Sequence, residues 1–310
     1  MLISVIVPTC QRPELLARCL HQLAPGGQLL ESDAYEVIVT DDSANPATRN
    51  LVTKEFPWAR WMAGPRRGPA ANRNNGARNA SGEWLAFVDD DCEPDRRWLE
   101  AITGAIPHGE LDVIEGKTIC PGKEDHPFQE QVENLNGDLY WSCNLAVRRK
   151  AFEQLGGFDE DFAEAGGEDM EFAWRIRKHQ LRACFADKAI VVHPPRRIGW
   201  RKLWWRTGMT RWMLLYWIKT EQSPPLEAGP LPVCWNLFSR HLMGLVRGTT
   251  HLITRFDRKT WRRCLWFSFW KWLTLPVLLP FLLICEFRFR RNLSHHPGAA
   301  AKPRPSLARG

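Results

Sequence analysis

The stretch WLAFVDDD, residues 84–91, joins a continuous apolar run to three consecutive carboxylates. A short apolar run of this kind is typical of a strand that is buried on both faces of a parallel sheet. Two earlier stretches have the same form, ISVIVPT at residues 3–9 and YEVIVTDDS at residues 35–43. In parallel sheets, ligands bind beyond the carboxyl ends of the strands. The polar residues that follow these three strands therefore predict a binding site at one edge of the sheet.

Helical patterns alternate with these strands and with weaker ones further along the chain. Apolar residues recur at helix spacing in residues 15–23, and residues 69–80 form a second helical stretch rich in Asn, Arg and Ala. Further strands are expected at residues 58–63, 111–119, 142–147 and 189–192, and further helices at residues 95–105, 150–155 and 168–178. The alternation predicts an α/β fold with a mixed, largely parallel sheet and flanking helices.

Charge divides the chain near residue 195. Residues 1–195 contain 21 Lys and Arg against 31 Asp and Glu, whereas residues 196–310 contain the other 21 of the 42 basic residues and only 4 of the 35 acidic ones. Such an asymmetry indicates two segments with different partners. We expect a catalytic domain at residues 1–195, a basic, Trp-rich helical region at residues 196–293, and a disordered tail at residues 294–310.

The basic region favours a membrane surface. It contains ten of the 16 Trp residues, and Trp is enriched where proteins meet lipid headgroups. Basic residues with interleaved aromatics also bind nucleic acids, but the apolar runs in this region favour a membrane, so no nucleic-acid partner is expected.

Residues 266–287 are mostly apolar and leave three modes of attachment open. A helix of this length would match a hydrocarbon core of about 30 Å. However, Lys271 interrupts the stretch, and its uncharged part, residues 273–285, contains two prolines. The alternatives are monotopic attachment through a hairpin or surface helices, a single membrane span, and a helix that packs in a soluble protein without membrane contact. Basic clusters on both flanks favour monotopic attachment to anionic lipid.

The cysteines and the N-terminus constrain the compartment. The nine cysteines are dispersed and include no CxxC pair, which fits a reducing compartment and argues against a zinc ribbon or a disulfide framework. The N-terminal sequence MLISVIVP lacks the basic and long apolar parts of a signal peptide, and we expect it to begin the first strand.

The three carboxylates at residues 89–91 have two interpretations. Two carboxylates two residues apart can share one hard divalent cation and its bound phosphate, which a diphosphate leaving group requires. Alternatively, the run is an acidic turn that caps the helix expected at residues 95–105.

Several short stretches, taken in order, resemble the family 2 glycosyltransferases of the GT-A fold, and the resemblance covers residues 2–195. They are residues 4–9 (SVIVPT), 37–43 (VIVTDDS), 68–79, 87–91 (FVDDD), 144–149 (NLAVRR), 156–159 (GGFD) and 167–169 (GED). The order of these motifs makes the resemblance specific.

The resemblance implies a set of residues that bind the donor nucleotide. Asp42 would hydrogen-bond the base, with Asp41 as the alternative because Ser43 stands where the family's motif has Gly. The full set expected on the donor is Pro8, Thr9 and Arg12 around the nucleoside, Asp41 and Asp42 at the base, Arg73 and Asn74 at base or phosphate, and Asp89 and Asp90 in the carboxylate run.

The resemblance also implies a metal site and a catalytic base. Asp91, Asp89 and His193 would bind Mn²⁺ or Mg²⁺, although His193 is alternatively a structural histidine. Asp169 would take the proton from the acceptor hydroxyl, and Glu168 would help to place the acceptor. Alternatively, these two carboxylates only supply negative charge at a helix N-terminus.

Together these features predict a metal-dependent, inverting glycosyltransferase. It would transfer a sugar from a nucleoside-diphosphate sugar, a UDP-sugar in the first instance, to a glycan or lipid-linked acceptor. The expected location is the cytoplasmic face of the inner membrane, in cell-surface polysaccharide biosynthesis. A retaining GT-A transferase and a non-catalytic membrane-bound scaffold of the same fold are the alternatives.

Overall fold

The computed structural model describes residues 3–106, 110–122, 129–197, 210–220, 234–235, 238–239, 242–243, 269, 272–273 and 276–288. The chain divides into two compact units. The first comprises residues 1–125 and 129–198, and the second comprises residues 126–128 and 199–310. Each unit is described by itself below.

The first unit alternates strands and helices. Its strands are β1 (Ile3–Thr9), β2 (Tyr35–Asp41), β3 (Arg60–Ala63), β4 (Trp84–Phe87), β5 (Glu93–Pro94), β6 (Val113–Ile119), β7 (Gln129–Glu130), β8 (Leu145–Arg148), β9 (Ala183–Val192) and β10 (Arg196–Arg197). Its helices are α1 (Pro13–Leu23), α2 (Ala47–Glu55), α3 (Pro69–Asn79), α4 (Trp98–Ala105), α5 (Arg149–Leu155) and α6 (Glu168–Lys178).

Eight of these strands form one sheet in the order β3-β2-β1-β4-β8-β6-β9-β5. Strands β1 to β4 pair in parallel, and so do β6 and β9. Strand β8 is antiparallel to both of its neighbours, and β5 is antiparallel to β9. The predicted α/β class with a mixed, mostly parallel sheet is confirmed.

The central strand β1 is buried on both faces because helices cover the sheet on each side. Ile3, Val5 and Val7 belong to one core cluster together with apolar residues of α1 and α4. Ile6 belongs to a second cluster with residues of α3, α5 and α6. Helix α3 lies directly against β1, since a Cβ atom on Gly76 would come within 2.5 Å of the Ile6 side chain. The continuous apolar run is therefore the sequence signature of the middle layer.

Some elements differ from the sequence-based expectation. Residues 142–147 were expected to be one strand, but Ser142–Asn144 forms a 3₁₀ turn and the strand begins at Leu145. The Asn144 side chain causes the difference, because it donates to the carbonyl oxygens of Lys117 and Ala189 instead of following the strand. The sequence shows no clear hydrophobic pattern for helix α2 or for the two-residue strands β5, β7 and β10, so these elements were not predicted.

The second unit contains helix α7 (Thr210–Lys219), and residues 276–288 are also helical. Leu214 and Trp217 of α7 pack with Leu278 and Leu282 in a small apolar cluster. None of the helices in the described part of the chain has the length and apolar character that a membrane span requires. Residues 203–209 and most of residues 266–275, which we expected to be helical, lie outside the described residues, as does the expected disordered tail at 294–310.

Candidate functional site

The carboxyl ends of three parallel strands meet at one edge of the sheet. Thr9 at the end of β1 pairs with Asp41 at the end of β2. Asp42 then donates its backbone N–H to the Thr9 carbonyl over 2.9 Å. Strand β4 lies on the other side of β1 and leads into Asp89, so the three polar clusters anticipated from the sequence are neighbours.

The reversed strand β8 adds residues from the second half of the unit to this edge. Because β8 is antiparallel to β4, Leu145 at its beginning pairs with Phe87 at the end of β4. Ser142 and Cys143, just before β8, are buried and lie near the carboxylate run that follows β4. Sequence reasoning could not anticipate this contact, since no pattern in residues 145–148 reveals the direction of the strand.

The three carboxylates of the run have different surroundings, and each is paired with an arginine. Asp89 is paired with Arg73 at 2.8 Å. Asp90 is paired with Arg12 at 2.6 Å. The Arg12 guanidinium also reaches Asp91, at 3.1 Å. The run is therefore not a simple acidic turn, because each carboxylate is paired with an arginine, the buried Arg73 for Asp89 and the partly exposed Arg12 for the other two.

Asp90 faces the interior. Its side chain is fully buried and accepts a hydrogen bond of 2.6 Å from the Thr9 hydroxyl. Burial raises the pKa of Asp90 to about 7, although the Arg12 guanidinium opposes the shift. Asp90 has no exposed surface and ties β1 to the end of β4, and its expected contact with the donor stays a prediction. Arg12, expected at the nucleoside, likewise lies on the carboxylate run.

Asp91 and His193 come together at the far end of the run. The antiparallel pairing of β5 with β9 places Glu93 opposite Val192, so the residues just before β5 lie beside the residue just after β9. The distance from Asp91 Oδ1 to His193 Nε2 is 3.6 Å, and both side chains are buried. The thiol of Cys92 completes a group of three ligand-type atoms that all lie within 4.8 Å of one another.

The donor atoms of this group fit a divalent transition metal. Asp91 Oδ1 is buried and accepts no hydrogen bond, so a lone pair is free for a cation. His193 Nδ1 lies 3.2 Å from the Pro194 carbonyl oxygen, and Nε2 is the ring nitrogen that faces Asp91 and is placed to bind a metal ion. Carboxylate oxygen with imidazole nitrogen suits Mn²⁺. Asp89, expected as a third ligand, is not in this group because its carboxylate is directed at Arg73.

Arg73 connects the carboxylate run to the beginning of α6. Its guanidinium lies 2.8 Å from Asp89 and 3.2 Å from Glu168, and its side chain is almost fully buried. Burial alone would lower the pKa of Arg73, but the surrounding carboxylates Asp89, Asp169 and Glu168 raise it above its ordinary value. In the same way, burial opposes ionisation of Asp89, but Arg73 holds the pKa of that carboxyl below its usual range. Arg73 is therefore charged at any accessible pH and holds two distant motifs together.

Asp169 stands at the N-terminus of α6, next to Glu168. The preceding Gly167 has a φ of 138°, a conformation that suits glycine, and it allows the chain to turn into the helix. Burial and the adjacent Glu168 carboxylate together raise the pKa of Asp169 to about 7, against the opposing effects of Arg73 and the hydroxyl of Ser142. A carboxylate with a pKa near 7 is suited to accept and release a proton at neutral pH.

The two carboxylates after β2 are distinguished by their partners. Asp41 is buried, and its two oxygens accept hydrogen bonds from the Ser43 backbone N–H at 2.8 Å and the Trp61 ring N–H at 3.2 Å. Asp42 is partly exposed and accepts a hydrogen bond of 2.8 Å from the backbone N–H of Arg66. Burial raises the pKa of Asp42. Asp42 is therefore the carboxylate that a ligand can reach, whereas Asp41 shapes the turn.

The asparagines of α3 have structural roles. Asn74, expected at base or phosphate, accepts a hydrogen bond from the Phe158 N–H and donates to the Phe158 carbonyl and to Glu160. Asn72 bonds the hydroxyl and carbonyl of Thr40. The Asn74 amide is buried and holds the loop after Gly157, and its expected contact with the donor stays a prediction. Pro8 is buried within β1 opposite Thr40.

Two residues near the site were not anticipated from the sequence. Arg196 on β10 lies 2.6 Å from Asp91 Oδ2, and Ser142 lies beside Asp169. Arg196 is one of many arginines in a basic stretch, so nothing in the sequence distinguishes it from its neighbours as a site residue. Ser142 is brought to the site by the reversed strand.

Comparison with protein families identifies two matching models. The model of glycosyl transferase family 2 matches residues 4–156. A second model, described as the N-terminal domain of galactosyltransferase, matches residues 123–196. Together they span the first unit.

Curated proteins with similar sequences include named glycosyltransferases and a polysaccharide biosynthesis protein. The succinoglycan biosynthesis protein ExoM of Rhizobium meliloti is 30% identical over an alignment of 233 residues. The alignment covers 69% of this chain and 75% of that protein. Glycosyltransferase AglE of Haloferax volcanii is 26% identical over 212 residues, 64% of this chain and 68% of that one. Other relatives are longer, and the match spans 56% of a validoxylamine A glucosyltransferase of Streptomyces hygroscopicus.

Solved structures share the fold. The mannosyltransferase PcManGT from Pyrobaculum calidifontis, in complex with GDP-Man and Mn²⁺, aligns with a TM-score of 0.57 over 92% of this chain and 86% of that chain. At 18% sequence identity the likeness shows the fold alone.

Proposed function

The chain belongs to glycosyl transferase family 2, and we propose that it transfers a sugar from a nucleoside-diphosphate sugar to an acceptor hydroxyl during assembly of a polysaccharide or glycoconjugate. The observation that carries the proposal is the position of Arg73. One buried guanidinium joins Asp89 of the donor-side motif to Glu168, the neighbour of Asp169, at 2.8 and 3.2 Å. A donor at the strand ends and an acceptor at the start of α6 would therefore meet.

The donor base would be read at the end of β2. Asp42 is the accessible carboxylate of the pair, since both oxygens of Asp41 already accept hydrogen bonds. A carboxylate that accepts hydrogen bonds from the N–H groups of a base would select among nucleotides by the positions of those donors. The relative PcManGT binds GDP-Man, so guanine is a candidate beside uracil.

The metal site would consist of Asp91 and His193, with Mn²⁺ or Mg²⁺ as the ion. When bound, the cation would neutralise the charge on the departing diphosphate. The residues of the chain prepare the site, because Asp91 Oδ1 has no hydrogen-bond donor and His193 Nε2 lies 3.6 Å from it.

Asp169 would act as the base in an inverting displacement. The acceptor oxygen attacks the anomeric carbon, the bond from that carbon to the diphosphate oxygen breaks, and the acceptor proton passes to the Asp169 carboxylate. Burial and the adjacent Glu168 carboxylate raise the pKa of Asp169 to about 7, which matches this task. The positive charge of Arg73, which is bonded to the neighbouring Glu168, would favour the ionised form of this carboxylate.

The second unit would attach the enzyme to the cytoplasmic face of a membrane and bring it to a lipid-linked acceptor. In the described part of this unit, eight large apolar side chains are exposed: Trp235, Met243, Phe269, Trp272, Leu273, Val277, Ile284 and Phe287. The segment that carries them is strongly basic, so burial of these side chains would add to attraction toward anionic lipid. Co-sedimentation with vesicles of anionic lipid, compared with neutral lipid, tests this attachment.

The function is tested by titrating the full chain with UDP and GDP, each with and without Mn²⁺, in a calorimeter. We expect one of the two nucleotides to bind only when Mn²⁺ is present, and we expect this binding to be lost in Asp91→Ala. Asp33→Ala is the matched control, since Asp33 is an exposed carboxylate before β2, at the opposite edge of the sheet. Absence of binding by folded protein would contradict the transferase function.

The stereochemistry is tested separately. With the nucleotide identified, the anomeric configuration of the product is measured by NMR with the corresponding sugar donor. We expect inversion of the anomeric configuration. Retention would contradict the inverting mechanism and would favour the alternative of a retaining GT-A transferase.

A further inference from the structure

Arg196 lies across the two residues proposed to bind the metal. Its guanidinium is 2.6 Å from Asp91 Oδ2 and 3.4 Å from His193 Nε2. A guanidinium can only donate, so the latter contact uses the lone pair of His193 Nε2 that a metal ion would need. One lone pair cannot serve both the guanidinium and a cation, so Arg196 and a metal ion exclude each other.

The arginines also balance the charge of the carboxylate run. Arg73 pairs with Asp89, Arg12 with Asp90, and Arg196 with Asp91. Since Arg12 and Arg196 both reach Asp91, a divalent cation that enters without a counter-anion meets a carboxylate whose charge is already neutralised. Coulomb repulsion from a guanidinium beside the metal position would weaken such binding further.

Arg196 is better placed to leave than Arg73, and unlike Arg12, which is 37% exposed but bonds two carboxylates, it lies against both proposed metal ligands. The Arg73 side chain is 5% exposed and is held by two carboxylates. In contrast, the Arg196 side chain is 30% exposed, and its Nε atom makes no hydrogen bond and lies 3.8 Å from Glu130. The strand that carries Arg196 is only two residues long.

We infer that Arg196 is an internal counter-cation that a divalent metal must displace, so that metal binds weakly to the free enzyme and strongly only together with a nucleoside diphosphate. The inference rests on the proposed metal site of Asp91 and His193. The diphosphate supplies the negative charge that compensates for both the metal and the displaced guanidinium. By reciprocity, the metal must raise the affinity for the diphosphate by the same factor as the diphosphate raises the affinity for metal.

The test is a titration of the protein with Mn²⁺ in the absence of nucleotide. The electron paramagnetic resonance signal of free Mn²⁺ measures how much of the ion is bound. Arg196→Ala and Arg196→Gln both remove the competing charge, and we expect each to bind Mn²⁺ roughly tenfold more tightly than the unmodified chain. Arg197→Ala is the matched control, since Arg197 is the exposed neighbour on the same strand, and it should bind Mn²⁺ like the unmodified chain. Circular dichroism confirms that each variant is folded.

A second titration measures the coupling. UDP or GDP, whichever binds, should raise the Mn²⁺ affinity of the unmodified chain by a larger factor than that of Arg196→Ala. Equal or weaker Mn²⁺ binding in both Arg196 variants would overturn the inference while leaving the metal site intact. His193→Ala separates the two proposals: it should abolish Mn²⁺ binding in either background, and undiminished binding would reject the metal site itself and the inference with it.

Discussion

The candidate site has two sides that use the same residue types in different ways. The base side consists of Arg73, Asp89, Glu168 and Asp169, and the metal side consists of Arg12, Asp91, His193 and Arg196. On the base side, the one guanidinium is 5% exposed and bonds carboxylates from two motifs. On the metal side, two guanidiniums are 37% and 30% exposed and converge on one buried carboxylate.

The difference shows how burial decides the role of an ion pair. Removing one partner of a buried pair leaves an uncompensated charge, so such a pair must persist through the reaction. A pair whose guanidinium remains in contact with water can separate at little cost, because water solvates the charge that is released. The base side is therefore a fixed frame, and the metal side can exchange one cation for another.

The largest expected effect is on the base side. Asp169→Asn keeps the size of the side chain but cannot accept a proton, so kcat should fall by about 10²–10⁴-fold. Steady-state rates with the identified donor measure the loss, and Asp161→Asn, an exposed carboxylate on the preceding loop, is the control. A kcat within a few-fold of the unmodified chain would show that Asp169 is not the base.

The same variant should be more stable. The raised pKa of Asp169 means that its ionised form is disfavoured in the folded state. The unfolded chain releases this proton first, so folding stability falls as pH rises from about 4 to about 7 and is then constant. Asp169→Asn removes this cost, and its melting temperature should exceed that of the unmodified chain by a few degrees above pH 7, with no gain below pH 4.

Arg73→Ala should have the next largest effect. It leaves Asp89 and Glu168 without their cation, and we expect a loss of about 3–5 kcal/mol in the free energy of unfolding. Urea denaturation measures this loss. Arg78→Ala on the same helix is the control, because the Arg78 side chain is 59% exposed in its pair with Glu160 and should contribute about 1 kcal/mol or less. Equal losses in the two variants would contradict a fixed frame.

The pH dependence of the reaction provides a smaller effect. Because the Asp169 carboxylate must be ionised to accept a proton and its pKa is about 7, kcat/KM should fall about tenfold for each pH unit below 7 and level off above it. Substitution of Glu168 by Gln removes the adjacent negative charge, which should shift the midpoint to lower pH. A flat profile between pH 5 and 8 would contradict the assignment.

The sequence predicted the half of the site that lies at the ends of parallel strands. Asp41, Asp42 and the run at 89–91 each follow an apolar stretch, so the sheet alone brings them together. Helix α6 was predicted with its observed bounds, because the charges of Glu168 and Asp169 open a regular apolar pattern.

The contacts between distant segments could not be predicted. The pair of Arg73 with Glu168 joins residues that are 95 positions apart. The resemblance to the family grouped Asp91 with His193, but the residue pattern by itself does not, because their meeting depends on a two-residue strand that is too short to leave a pattern. The bonds of Asn74 to Phe158 could not be predicted either, because a polar residue that binds a ligand and a polar residue that holds a buried loop look the same in sequence and differ only in their partners.

The smallest expected effect tests the metal side directly. Arg196→Ala removes a guanidinium that is 30% exposed, and the Asp91 carboxylate keeps Arg12 at 3.1 Å and His193 at 3.6 Å. Because a partner remains, the free energy of unfolding should change by about 1 kcal/mol or less, in contrast to Arg73→Ala. Urea denaturation of the two variants side by side gives the comparison. A loss in Arg196→Ala as large as that in Arg73→Ala would mean that both sides are fixed frames, and a guanidinium held that firmly could not yield its position to a metal ion.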